Sequence, residues 1–194
     1  MKFAWCIACL LLSACATAPK QAQIMKLDNQ ARMAYLTNHN QWSFTGRLAY
    51  AHHGQGGSAK AQWQQNALQT DLTLTSALNL GTLKLTVNDN WAQLITSDGK
   101  HREDTPNALM QEMLNMPVPF TTLVAGLRGD WASHPNASII WRDNLPYQVD
   151  VDGWRWQYQE WMTEPAVLPR KLELSQGNTH LRIIVDQWHE VVNE

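Results

Sequence analysis

The chain of 194 residues is short of cysteine, and the position of its three cysteines matters more than their number. Cys6, Cys9 and Cys15 all fall within the first fifteen residues. The body of the protein therefore has no thiol pair, and a disulfide framework is excluded. Positive charge is scarce as well, with 15 lysines and arginines against 17 acidic residues and no polybasic run. Neither nucleic acid nor adhesion to an anionic membrane surface through charge fits that balance. No apolar run approaches the ~20 residues that a helix needs to cross ~30 Å of hydrocarbon.

Catalytic signatures are equally thin. There is no Gly-x-Ser-x-Gly nucleophile elbow, and Gly54-Gln55-Gly56-Gly57 reads as a glycine-rich strand connection without the helix start that phosphate cradling requires. His52 and His53 are adjacent, so on a strand they point to opposite faces, and no cysteine or carboxylate stands at ligand spacing; a solvated loop accounts for them better than a metal site. Glu103 with Asp104, and Asp150 with Asp152, would need a cleft to shift their protonation before they did acid–base work, and helix-start and turn positions explain them more simply. No enzymatic activity, cofactor or metal is expected.

What is present begins at the N-terminus. Lys2 precedes the mostly apolar run Phe3–Leu12, which is followed by the small residues Ser13 and Ala14. A charged region, a short apolar region and a small-residue cleavage region make a secretory signal, expected to span residues 1–14. Leu12-Ser13-Ala14-Cys15 looks like the lipobox at which bacterial lipoproteins are acylated and cut, so Cys15 is the expected lipidation site. Cys6 and Cys9 then leave with the signal, and their Cys-x-x-Cys spacing has no redox or metal meaning. Cleavage leaves 180 residues, with 14 basic against 17 acidic, enough for one domain with a sizeable core. Residues 15–23 read as a lipidated tether and 24–194 as a single domain.

Ile24, Leu27, Ala31 and Ala34 recur at helical spacing and predict an amphipathic helix over 24–38. From Gln41 the period becomes two: Trp42, Phe44, Gly46, Leu48 and Tyr50 alternate with Ser43, Thr45, Arg47 and Ala49. Further strands are predicted at 59–65, 70–75, 82–87, 91–96, 148–152, 154–161, 170–175 and 180–188, separated by turn signals such as Asn88-Asp89-Asn90 and Asp152-Gly153. This describes a long antiparallel meander. It is interrupted once, where Thr105 can cap a helix begun by Pro106 with the stripe Leu109, Met110, Met113 and Leu114. Pro117 and Pro119 end it and start a second short helix bearing Phe120, Leu123, Val124 and Leu127, closed by Gly129. A helical pair inserted into a sheet makes a plausible lid.

Ten tryptophans, among them Trp42, Trp63, Trp91, Trp154, Trp156, Trp161 and Trp188, are concentrated on the predicted strands. Any one of them can simply be core. Together with leucine and methionine on a curved sheet under a lid, they suit a cavity for an apolar ligand.

In this order the chain resembles the outer-membrane lipoprotein receptor LolB family of Gram-negative bacteria. The resemblance rests on the lipobox, the N-terminal helix, Phe44-Thr45-Gly46-Arg47-Leu48-Ala49-Tyr50, Ala61-Gln62-Trp63-Gln64-Gln65, and Leu72-Thr73-Leu74-Thr75-Ser76 leading to Leu80-Gly81. It continues through Met116-Pro117-Val118-Pro119 and the closing strands Leu172-Glu173-Leu174 and Ile183–Trp188, so it spans the whole mature chain. It implies a mainly β fold: an incomplete antiparallel β-barrel of about eleven strands with an N-terminal helix and a short helical lid enclosing a hydrophobic cavity. It also implies a receptor, lipid-anchored at the periplasmic face of the outer membrane, that accepts client lipoproteins from the periplasmic carrier LolA and inserts them into outer-membrane lipid. Ala16 after the lipidated cysteine fits that sorting, and a monomer is expected.

The acyl-chain cavity is assigned on this basis to Leu48, Trp63, Leu72, Leu74, Leu83 and Leu109. The lid and the far strands add Met113, Leu123, Leu127, Trp156, Leu174 and Ile183. The family's membrane-contacting leucine falls in Ser76-Ala77-Leu78-Asn79-Leu80-Gly81, where Leu80 before the glycine is the better match and Leu78 the rival, the loop being one residue longer than usual. Relatives often carry a tryptophan in the helix after Pro119, where this chain has Gly126. Two other readings stay open: a lipoprotein binding another apolar ligand, and a structural lipoprotein docking an envelope partner.

Overall fold

The computed structural model describes residues 29–66, 68–76, 81–114 and 120–190. The signal region, Cys15, Leu78, Leu80 and the Met116–Pro119 segment lie outside the described residues.

A helix, α1 (Asn29–Asn38), leads into β1 (Trp42–His52), β2 (Gln55–Gln65), β3 (Gln69–Ser76), β4 (Thr82–Asn88), β5 (Trp91–Thr96) and β6 (Gly99–Glu103). Two helices follow, α2 (Pro106–Leu114) and α3 (Phe120–Arg128). The chain then returns through β7 (Ser138–Arg142), β8 (Leu145–Val151), β9 (Trp154–Met162), β10 (Leu168–Gln176) and β11 (Thr179–Glu190).

All eleven strands form one antiparallel sheet in the order β6-β5-β4-β3-β2-β1-β11-β10-β9-β8-β7. Two meanders are thus joined by the pairing of β1 with β11, from Trp42 opposite Glu190 to His52 opposite Thr179. A twisted open sheet rarely exceeds ~10 strands without curling. This one curls around its apolar face, and β6 and β7 remain unpaired edges, so the barrel is incomplete. The chain that runs from one edge to the other carries α2 and α3.

The inward face follows the alternation expected from the sequence. Trp42 and Phe44 on β1 are buried beside the half-buried Ser43 and Thr45. Ala61 and Trp63 on β2 are buried between the exposed Gln62 and Gln64. Gly46 sits at a β-bulge against β11, where a β-carbon would collide with the carbonyl of Ile184. Only glycine permits that approach.

The two edge strands β6 and β7 were not among the predicted strands. β6, Gly-Lys-His-Arg-Glu, has no apolar alternation; its charges blunt an open edge. β7 is five residues long and too short to show a period. The strands expected at 148 and 170 begin earlier, at Leu145 and Leu168, because they contain Pro146 and Pro169, which read as breakers. Each proline lies at a register shift, near Ile140/Trp141 and Pro169/Lys171, where the ladder tolerates a missing N–H. Gly56 and Gly57 likewise belong to β2 rather than to a connection. Of the helix expected over 24–38, the described part begins at Asn29.

The lid helices fall where the sequence places them. The Thr105 hydroxyl accepts from the Ala108 amide at 3.1 Å, capping α2. Gly129, at φ 65°, closes α3, with the Asp130 amide donating to the Ala125 carbonyl at 2.9 Å.

Candidate ligand site

The inner face of the half-barrel and the underside of the helices enclose one continuous apolar cluster. Eleven of the twelve residues assigned to the cavity belong to it or pack against it; Met113 lies on α2 with its side chain outside the described set. Leu109, Leu127, Trp156 and Leu174 are essentially inaccessible, and Trp63, Leu72, Leu123 and Ile183 are buried. Leu48, Leu74 and Leu83 are half-buried. Leu74 pairs with Leu83, the Ser76 amide bonds the Gly81 carbonyl at 3.0 Å, and Leu48 pairs with Ile183. The partly open leucines therefore gather at the end of the sheet where the 76–81 loop joins β3 to β4, and the apolar lining runs from that end into the core.

Aromatic rings fill the interior beneath α3. Trp63 lies parallel to Trp42 at 6.1 Å and to Phe44 at 6.2 Å, and Phe120 at the start of α3 stacks on it at 5.8 Å. At the other end of α3, Gly126 rests directly on the six-membered ring of Trp156, where any β-carbon would overlap the ring. Gly126 is thus matched to a tryptophan offered from β9. The Tyr158 hydroxyl donates to the Gly126 carbonyl at 2.8 Å and accepts from the Trp131 indole at 2.9 Å. Burial pushes its phenol well above the ordinary tyrosine range, so it stays protonated and keeps donating.

Polar satisfaction among the buried indoles is uneven. The Trp131 and Trp188 N–H groups donate to the Tyr158 hydroxyl and to the Pro169 carbonyl. Those of Trp63 and Trp156 are fully buried and have no acceptor. An unpaired buried donor costs about 1–3 kcal/mol, so two in one apolar interior are expensive as core design.

Two buried arginines hold α1 to α3, and neither was singled out in the sequence. Arg32, on α1, donates to the carbonyls of Val167 at 3.0 Å, Arg128 at 2.6 Å and Gly129 at 3.1 Å, with its guanidinium 5.0 Å from the centre of the Trp161 ring. Burial lowers its pKa from 12.5 to about 10, opposed by Tyr158 and Asp130, and the side chain remains charged at neutral pH. Arg128, on α3, donates to the Leu36 carbonyl at 3.2 Å and lies over Trp42 at 5.7 Å. Arg128 continues the apolar stripe of α3, a signal that exposed arginines also give, and Arg32 lies off the apolar stripe read in α1.

The carboxylate pairs separate. Asp150 faces Arg155 at 2.8 Å; burial pushes its carboxyl up, but the bonds from Arg155 and Gln148 outweigh that and hold it below the usual range. Glu103 turns to Glu112 on α2 instead of Asp104, and that carboxyl–carboxyl hydrogen bond, together with the repulsion, raises its pKa. His52 bonds the Thr179 hydroxyl at 2.8 Å, while His53 sits in the β1–β2 turn at φ 46°.

An eleven-stranded antiparallel sheet with an aromatic and leucine interior, roofed by helices inserted between its two edges, defines the incomplete-barrel class of fold with a helical lid. Comparison with known proteins gives the family. The model of the outer membrane lipoprotein LolB family matches residues 40–188, and the chain belongs to that family. It is 32% identical over 197 residues to the outer-membrane lipoprotein LolB of Yersinia enterocolitica and 30% identical over 187 residues to that of Azoarcus sp., covering 94% of this chain and 92% of each relative. Among solved structures, a LolA superfamily protein from Nitrosomonas europaea superposes with a TM-score of 0.55 over 87% of this chain and 96% of that one, at 6% identity. The half-barrel architecture is shared although the sequences have diverged almost completely.

Proposed function

We propose that this outer-membrane lipoprotein is a receptor that takes lipoproteins from a LolA-type periplasmic carrier into its apolar interior and releases them into the outer membrane. The observation that carries the reading is the continuous apolar cluster that extends from half-buried Leu48, Leu74 and Leu83 to the buried interior under α3. Acyl chains gain ~0.8 kcal/mol per buried CH₂, so they cannot cross water unshielded, and a lidded apolar interior is the physical requirement for moving them. No bond is made or broken. The chains need only successively more favourable sites, since ~1.4 kcal/mol shifts an equilibrium tenfold.

In this reading the signal of residues 1–14 is removed, Cys15 carries the acyl chains that tether the protein, and residues 15–23 span from lipid to the folded domain. The 76–81 loop presents Leu80, or its rival Leu78, to the membrane. One leucine buried in lipid gains roughly 1.5–3 kcal/mol, enough to favour release without anchoring the protein.

The test uses a Cys15→Ala chain, mixed with LolA loaded with a labelled lipoprotein and recovered by pull-down. Label moving to the receptor supports the reading. Failure to move, with both proteins folded, removes it and leaves a lipoprotein that binds another apolar ligand or one that docks an envelope partner. A Leu80→Glu variant that still accepts label but does not deliver it to liposomes assigns the loop; normal delivery by Leu80→Glu and failure by Leu78→Glu assigns it to Leu78.

A further inference from the structure

The interior holds two hydrogen-bond donors that its own chain leaves without an acceptor, and both lie against the same helix. Trp63 meets Phe120 in the first turn of α3 and Trp156 meets Gly126. Six residues of helix separate those contact points, roughly 9 Å along the axis. Both indoles are at most 2% exposed, and both N–H groups lack a partner. The neighbouring rings supply none: Trp131, 5.2 Å from Trp156, has its single polar atom already committed to Tyr158, and Phe44, Trp42 and Phe120 around Trp63 carry no lone pair to offer. Elsewhere in the same core the Trp131 and Trp188 indoles do have acceptors, the Tyr158 hydroxyl and the Pro169 carbonyl. The two orphans are thus confined to the surface that α3 covers.

A purely hydrocarbon ligand would leave both donors as they are. A ligand that brings acceptor oxygens into an otherwise apolar space would relieve them, and the smallest such unit attached to an acyl chain is its own carbonyl. We infer that Trp63 and Trp156 are the polar recognition points of the interior, donating to the ester or amide carbonyl oxygens at the heads of bound acyl chains when α3 gives way. The inference rests on the acyl-binding reading and goes beyond it: the interior selects acyl groups over bare alkyl chains and fixes the depth at which the head of each chain stops. The acceptor chemistry is common to lipoproteins and glycerophospholipids.

The experiment uses the chain from residue 15 onward with Cys15→Ala, ¹⁵N-labelled, whose nine tryptophans, the ten of the sequence less Trp5 of the signal, give separable indole signals assigned by Trp63→Phe and Trp156→Phe. Three probes are titrated: a synthetic S-dipalmitoylglyceryl-cysteine peptide, its dialkyl ether analogue without glyceryl carbonyls, and dipalmitoylphosphatidylcholine. The expected result is that the diester moves the Trp63 and Trp156 indole signals downfield while the ether does not, and that it binds tighter by roughly fivefold per indole engaged. Each Trp→Phe change, which keeps an aromatic ring but loses the N–H and part of the ring volume, removes its share of that preference, read as the ester-to-ether affinity ratio because lost packing affects both probes alike. Equal affinity for ester and ether with unmoved indoles overturns carbonyl recognition while leaving acyl binding intact. Binding of no probe overturns both. A phospholipid response matching the lipopeptide supports carbonyl recognition of acylglycerols in general, and a response to the lipopeptide alone supports the same contact with lipoprotein as its source.

Discussion

Arg32 and Arg128 cap each other's helices: Arg32 of α1 donates to the carbonyls of Arg128 and Gly129 that end α3, and Arg128 of α3 donates to Leu36 in the last turn of α1. A cation at a helix C-terminus meets the negative end of the dipole as well as the unpaired carbonyls. The lid helix is therefore fastened by charged hydrogen bonds at the end where its Gly126 rests on Trp156 of β9.

Replacing Arg32 with methionine keeps much of the side-chain volume and abandons three buried carbonyls. The expected loss is about 3 kcal/mol, in line with buried bonds to a charged group, read as a shift in the urea midpoint. Amide exchange in α3 should rise more than in β1 and β11; uniform acceleration across the sheet would show that Arg32 supports the whole fold and not the lid.

Gly126→Ala puts a methyl into the ring of Trp156. Helix propensity alone favours alanine by ~1 kcal/mol, but overpacking costs ~1–3 kcal/mol or more, so the variant is expected to be less stable. Adding Trp156→Leu should recover part of the loss. A stabilised single variant in thermal melts would refute the close approach of α3 to β9.

Tyr158→Phe leaves the Trp131 indole without its acceptor and removes the phenol bond to Gly126. A loss of about 1–3 kcal/mol is expected for the unpaired buried donor. Near-ultraviolet circular dichroism should change with it, because Trp131 packs edge-on against Trp156.

Glu103 on the edge strand β6 neighbours Glu112 on α2, and hydrogen bonding with that carboxyl, together with its charge, raises the pKa of Glu103. The folded pKa of Glu103 is raised, so the stabilisation is present below the ordinary glutamate range and is lost as pH rises through the folded value. Amide protection factors in α2, from which the intrinsic pH dependence of exchange has been divided out, should accordingly be higher at acidic pH than at neutral pH, and Glu112→Gln should flatten that dependence. An unchanged pH profile in the variant would remove the pair from the account of lid docking.

The sequence by itself determined the mainly β architecture, because period-two alternation and turn chemistry are local properties: Trp42 and Phe44, Ala61 and Trp63, and Leu72 with Leu85 across the β3–β4 ladder all face the core as their spacing requires. It also placed the lid, through Thr105, Pro106 and Gly129, and it selected apolar positions that the fold gathers into one cluster. The edge strands β6 and β7 escaped because five residues are too few to display a period, and Pro146 and Pro169 concealed strand ends that bulges make possible.

Tertiary structure alone decided which buried polar groups have partners. The charge of Arg32 is accepted by carbonyls 96, 97 and 135 residues away, and the Gly126 site exists only because β9 delivers a tryptophan to it. Trp63 and Trp156 are indistinguishable in sequence from Trp131 and Trp188; only the packed chain satisfies one pair and leaves the other without an acceptor. Apolar burial is non-directional and can be read from a pattern, whereas a hydrogen bond needs two groups at one distance and one angle, and that geometry comes into being only when distant segments meet.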